Sequence, residues 1–211
     1  MTGNSLLPDS ALCKAAFTYA KNVSDPWLYH HVMRSAIYAD RLGRQRNMVF
    51  DRELLCVSAV LHDLGLTDEV PVQERFEIEG ADAASRFLEE QGMAKEKLRT
   101  VWDAIALHTT VGIPLRKEPE VALCFLGIAS DLGLIQPAQV TADFYDTVLE
   151  LYPWLDTGAA ITEALTKLFG KNPAAASSNA VSQACAHKLA GYREFNPFAH
   201  LAEVDRLRAG G

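Results

Sequence analysis

An all-α fold is predicted, an irregular bundle of about eight or nine helices. Apolar residues recur at helical spacing along most of the chain, and the alternation that marks strands is almost absent. Caps and breakers divide the chain into helix-length pieces with no βαβ rhythm. The first piece is opened by Pro8, Asp9 and Ser10 and runs to about Ala20, with Leu12, Ala16 and Tyr19 on one face. Ser24, Asp25 and Pro26 form a cap with proline in the first turn, starting a long helix from Trp27 to about Arg46. Asp51 caps a third helix with an apolar stripe through Leu54, Leu55, Val57 and Leu61, ended by Gly65. After a loop at Pro71, a fourth helix is expected from Gly80 to Gln91, stopped by Gly92, and a fifth from Met93 to about Thr109. Pro119 introduces a helix over Glu120–Asp131, closed by Gly133. Three more are expected over Pro137–Tyr152, Thr157–Phe169 and Ser178–Ala190.

A length of 211 residues suits one compact domain. We expect a single helical domain over residues 1–195 and a C-terminal extension over 196–211, whose Phe198 and Leu201 could cover the domain or a second subunit, so a homo-oligomer is compatible. Pro173 to Ser178 reads as a short loop of small residues, and there is no internal repeat. With 49% hydrophobic and 22% charged residues the chain is too apolar for a disordered one. Lys and Arg total 20 against 27 Asp and Glu, a formal net charge of −7, which disfavours broad nucleic-acid binding. The cluster Arg41, Arg44 and Arg46 reads as a helix end complementing the macrodipole. Cys13, Cys56, Cys124 and Cys185 form no CxxC pair and sit in apolar segments, so a reduced, cytoplasmic chain is expected. The longest apolar stretch, Val121 to Ala129, is about half a membrane span. The N-terminal residues lack a signal-peptide pattern, so neither secretion nor membrane insertion is expected.

The sharpest chemical feature is Ala59-Val60-Leu61-His62-Asp63-Leu64-Gly65, where a histidine and an aspartate follow an apolar stripe. Burying both without partners costs several kcal/mol, about the range for unpaired polar groups and charges. A divalent cation compensates directly by accepting the imidazole lone pair and the carboxylate oxygen together. A core histidine beside a capping aspartate would leave the same trace, so other segments must decide. Tyr29-His30-His31-Val32-Met33-Arg34 places His31 inside the long second helix, with Arg34 one turn on and able to pair with an acid. Gly127-Ile128-Ala129-Ser130-Asp131 ends an apolar helix on a carboxylate, and Ile105-Ala106-Leu107-His108-Thr109 ends another near a histidine.

On these residues the chain resembles the HD-domain metalloenzyme superfamily, all-helical proteins usually described as metal-dependent phosphohydrolases. Its pattern of a first His, a His-Asp pair and a distant Asp falls here on His31, His62, Asp63 and Asp131, which the resemblance makes the ligands of one ion. It spans about Trp27 to Leu134. The stretches Leu61 to Thr67, Arg75 to Ala81 and Trp102 to Thr109 look most like the branch containing cyanamide hydratase, which implies addition of water to a small nitrile-like molecule at a single zinc. Other branches fit less well. The lysine that cyclic-dinucleotide phosphodiesterases carry shortly after His-Asp is absent, with Leu66 in that neighbourhood. No His lies between His62 and His108, so a second metal would lack a ligand.

Two imidazoles and two carboxylates suit zinc, the expected ion, with iron or manganese also compatible. A divalent ion lowers the pKa of bound water towards roughly 7, supplying hydroxide to a phosphorus, carbonyl or nitrile centre. His108 is a candidate to orient substrate or carry a proton, or else a helix-end His facing the dipole. Glu77 is a candidate proton acceptor or substrate anchor, and a solvated glutamate fits as well. Asp68 is a candidate acid or base in the loop after the His-Asp pair, against a plain surface role. Phe76 and Thr109 are candidate substrate contacts, and Arg34 is expected to support the ligand carboxylates. His30, His187 and His200 are expected to be structural or exposed.

A small-molecule hydrolase or hydratase is therefore expected, with no nucleic-acid or membrane partner. A nucleotide or phosphoester hydrolase is the alternative in the same fold. It would call for several Lys or Arg donors, and between His62 and His108 there are only Arg75, Arg86, Lys95, Lys97 and Arg99. A non-catalytic, metal-stabilised helical module is the alternative of another class.

Overall fold

The computed structural model describes residues 6–71 and 73–172. Among them are eight α-helices and no strand, as the periodicity predicts: α1 Ala11–Val23, α2 Pro26–Gln45, α3 Arg52–Val60, α4 Phe76–Glu90, α5 Lys95–Ala106, α6 Pro119–Asp131, α7 Ala142–Leu151 and α8 Thr157–Lys171. The helix expected over Ser178–Ala190, Cys185, His187, His200 and the extension from residue 196 lie outside the described residues. No helix among those described is long and apolar enough to cross a membrane.

Several predicted caps act as expected. Ser10 Oγ accepts from the Cys13 amide, and Asp51 Oδ1 accepts from the Glu53 and Leu54 amides. Pro26 occupies the first turn of α2, and Gly92 and Gly133 follow their helices at φ 84° and 69°, the left-handed conformation that glycine adopts without a Cβ penalty.

Four helix boundaries differ from the prediction. α4 begins at Phe76 rather than Gly80. Its first-turn Glu79 reaches back to accept from the Gln73 and Glu74 amides, so the capping group lies inside the helix and not before it. α3 stops at Val60 and α5 at Ala106, which puts His62 and His108 in the turns beyond those helices. α7 starts five residues later than expected, after a turn closed by the Val140 amide on the Pro137 carbonyl.

The central element is α2. Residues 31–40 are buried without interruption, so this helix is covered on all sides rather than along a stripe. Its main neighbour is α6, and two small residues let the pair approach: a Cβ on Gly127 would run into the Ser35 carbonyl oxygen and stand 2.7 Å from the Ala39 Cβ. The two helices run in opposite directions here. One turn before Ser35 comes His31, and one turn after Gly127 comes Asp131, so the close crossing sets those side chains opposite one another. A similar approach fixes the His62–Asp63 corner. After α3 the chain makes a single 3-10 turn over Leu64–Leu66, in which a Cβ on Gly65 would collide with the Phe76 carbonyl. Gly80 matches it from the other side, its would-be Cβ 2.8 Å from the Gly65 nitrogen.

Candidate metal centre and its cavity

Three histidines from three separate elements point their Nε2 atoms at one carboxylate, Asp63. His31 Nε2 lies 3.5 Å and His62 Nε2 3.1 Å from Asp63 Oδ2, while His108 Nε2 lies 3.4 Å from Asp63 Oδ1. All four side chains are buried. The rings of His31 and His62 meet edge to face at 5.1 Å between centroids, and those of His62 and His108 at 4.9 Å.

What orients the rings is the other nitrogen. His62 Nδ1–H donates to the Ala59 carbonyl at 2.8 Å, and His108 Nδ1–H donates to the Ile105 carbonyl at 2.7 Å. Each of these histidines thus satisfies one of the carbonyls that a helix leaves free at its C-terminal end. His31 Nδ1–H donates to Asp131 Oδ2 at 2.7 Å. All three bonds leave Nε2 as the lone-pair nitrogen, the pattern of histidines that bind a metal.

Asp131 does not join the Asp63 cluster. Arg34 Nε donates to its Oδ1 at 2.6 Å and Nη2 to its Oδ2 at 3.0 Å, a two-pronged clasp on the carboxylate that holds His31. The same guanidinium reaches the corner between α7 and α8. Nη1 donates to the Pro153 carbonyl at 2.9 Å, Nη2 to Thr157 Oγ1 at 3.1 Å, and the cation lies 4.9 Å from the Trp154 ring centre.

The protonation states follow from these contacts. Burial pushes the His62 imidazole below its ordinary pKa. Burial alone would raise the Asp63 carboxyl, but the imidazoles of His62 and His108 beside it outweigh burial and hold Asp63 well below the usual carboxylate range. For His108 burial lowers the pKa, and the hydrogen bond and charge of Asp63, with Glu77 behind them, reverse this to a net rise. Burial also opposes ionisation of Asp131, and hydrogen bonds from His31 and Arg34 overcome it.

The donor set fits a divalent cation. His31, His62 and Asp63 offer ligand atoms all within 4.8 Å of one another. The Nε2 atoms of His31 and His62 are buried with no hydrogen-bond partner, a costly arrangement unless something accepts their lone pairs. Imidazole nitrogen and carboxylate oxygen together suit zinc, iron or manganese.

These groups open into a cavity of about 580 Å3, within the range of small-molecule sites. His31, His62, Asp63 and His108 form its polar end. Phe76, edge-on to His108 at 5.6 Å, and Thr109 also line it. Two expected residues stand elsewhere. Asp68 is exposed and faces a neighbouring groove beside Trp27 and Lys167. Glu77 is fully buried and accepts from Arg75 Nη2 at 3.0 Å and from the Thr109 hydroxyl, so it fixes Thr109 and adds negative charge behind His108. The apolar walls went unnoticed in the sequence: Phe125 and Ile128 from α6, Ile161 and Leu165 from α8. The apolar run Val121–Ala129 and the i, i+4 spacing of Ile161 and Leu165 were the available signals.

Residues 28–129 match the family model of the HD domain. The matched stretch, just under half of the chain, is a helical bundle of the HD-domain type and carries His31, His62, Asp63 and His108, while Asp131 stands two residues past its matched end. HD domains bind divalent metals, and the family consists in general of metal-dependent hydrolases. No curated protein matches the chain.

Proposed function

We propose that this protein is a metal-dependent hydrolase or hydratase acting on a small uncharged organic molecule, an amide or a nitrile of the cyanamide type. The observation that carries this reading is the pair of unpartnered, buried Nε2 atoms of His31 and His62 beside Asp63, at the end of an otherwise apolar cavity. His31, His62 and Asp63 hold the ion, zinc on the basis of the donor set. When bound, the ion supplies Lewis acidity and lowers the pKa of water towards roughly 7. Asp131 acts one bond further out, fixing the His31 ring through Nδ1 while Arg34 keeps the carboxylate ionised. His108, held by the Ile105 carbonyl with its Nε2 towards Asp63, takes or gives a proton at that nitrogen. Phe76 restrains the His108 ring and covers it from solvent.

Phosphoester hydrolysis is the second reading, favoured by the family. The cavity supports it less: among the described residues no Lys or Arg lines it, and the guanidinium groups of Arg34 and Arg75 are engaged by Asp131 and Glu77. A non-catalytic module would not need an open cavity at its metal ligands.

Elemental analysis of the purified protein, with a turnover screen of nitriles, amides and phosphoesters, tests the proposal. His62→Ala is expected to lose the bound metal and at least about a hundredfold of the activity while keeping its helical circular dichroism. Full turnover by that variant ends the catalytic reading, and phosphate release from a nucleotide promotes the second one.

A further inference from the structure

The cavity is much larger and much less polar than the chemistry at its end requires. Its volume of about 580 Å3 lies in the range of sites for drug-sized ligands, whereas a nitrile group with an amine on it has three heavy atoms. Beyond the His–Asp corner, the only hydroxyls in the lining among the described residues belong to Thr109 and Thr162, and both donate within the protein, to Glu77 and to the Gly158 carbonyl. Among the described residues, Asp63 is the only acidic one in the lining, and there is no basic one apart from the histidines. The rest of the wall is carbon.

That carbon continues outwards. Val111, in the loop after α5, and Leu134, in the loop after α6, line the mouth and are 79% and 74% exposed. Large apolar side chains held this open to water at the entrance of an apolar cavity mark a surface that meets an apolar ligand.

We propose that the physiological substrate carries a neutral alkyl or aryl body of several carbons, with its reacting amide or nitrile group at the metal ligands and its body along Phe125, Ile128, Ile161 and Leu165. This rests on the hydrolase or hydratase reading for the reacting group, and on the cavity alone for the body. A charged tail would be desolvated there without a counter-charge. A bare three-atom molecule would leave most of the wall unused.

Titration calorimetry of the zinc-loaded full chain with straight-chain primary amides, from acetamide to octanamide, tests this. Affinity is expected to rise about threefold to fourfold per methylene through the middle of the series. Leu165→Asp should flatten that rise. Leu134→Ser, at an exposed rim position where folding is not at stake, should weaken only the longest members by about threefold. A flat series in the wild-type protein overturns the proposal, as does tighter binding of adenosine monophosphate than of octanamide. Turnover of cyanamide or acetamide alongside a flat series would keep the enzymatic reading and remove this one. A steep series with no product from any amide or nitrile would do the reverse.

Discussion

His31 stands between two regions in opposite chemical conditions. On its Nδ1 side, Asp131 receives one bond from the imidazole and two from Arg34, and Arg34 spends its remaining donors on the Tyr152 and Pro153 carbonyls and Thr157. On its Nε2 side, two ring nitrogens are buried without partners around a single carboxylate. The first region is complete as folded and contributes structure. The second is complete only when something else enters. A buried polar cluster therefore does not reveal its role by composition, since a histidine–aspartate pair lies in both regions. Its unsatisfied valences reveal it.

The largest expected effect breaks the complete side. Arg34→Met leaves the Asp131 carboxylate buried without its cation and should destabilise the protein by about 3–5 kcal/mol in chemical denaturation. The loss should depend on pH in a defined direction. Asp131 ionises in the folded protein below its ordinary value, so its contribution is complete above the usual carboxylate range, near about 3.9, and disappears as pH falls through the lower folded-state value. The gap between wild type and Arg34→Met should thus be widest at neutral pH and close in acid.

The incomplete side should respond in the opposite sense, gaining stability from outside. Zinc at a hundred times its dissociation constant should stabilise the metal-free protein by about 2.7 kcal/mol, read as a rise in melting temperature, and should do nothing for His62→Ala. A smaller effect joins the two regions. Asp131→Asn keeps the size of the side chain but weakens its hold on His31, and metal affinity should fall about tenfold to a hundredfold by competition with a chromogenic chelator. A total loss of binding would instead make Asp131 a direct ligand.

The sequence and the fold agree most where the cause is local. Ser10, Asp51, Pro26, Gly92 and Gly133 act through neighbours within a few residues, and helix positions derived from them hold. The His62–Asp63 pair was conspicuous for a local reason too, as two polar residues ending an apolar stripe. Helix α4 begins at Phe76 with no capping side chain at Arg75, and Glu79 in its first turn ties down the preceding loop by accepting from the Gln73 and Glu74 amides. The family pattern places Asp131 among the ligands, and the bonds it accepts from His31 and Arg34 join residues 100 and 97 positions apart, which no local pattern encodes. Asp68 and Glu77 looked alike as acids near the pair, yet one is exposed beside another groove and the other is buried against Arg75 and Thr109. The apolar walls of α6 and α8 were visible only as helix faces, because the partner each face awaits is a tertiary fact.

The HD match ends at residue 129, while Leu132, Leu134, Ile135, Ile161 and Leu165 all come later in the chain. The buried His–Asp corner and much of the apolar wall of the cavity are thus encoded in separate stretches of sequence. Changes at Leu134, Ile135, Ile161 or Leu165 could therefore reshape that wall while the contacts of His31 and Arg34 with Asp131, Pro153 and Thr157 stay in place.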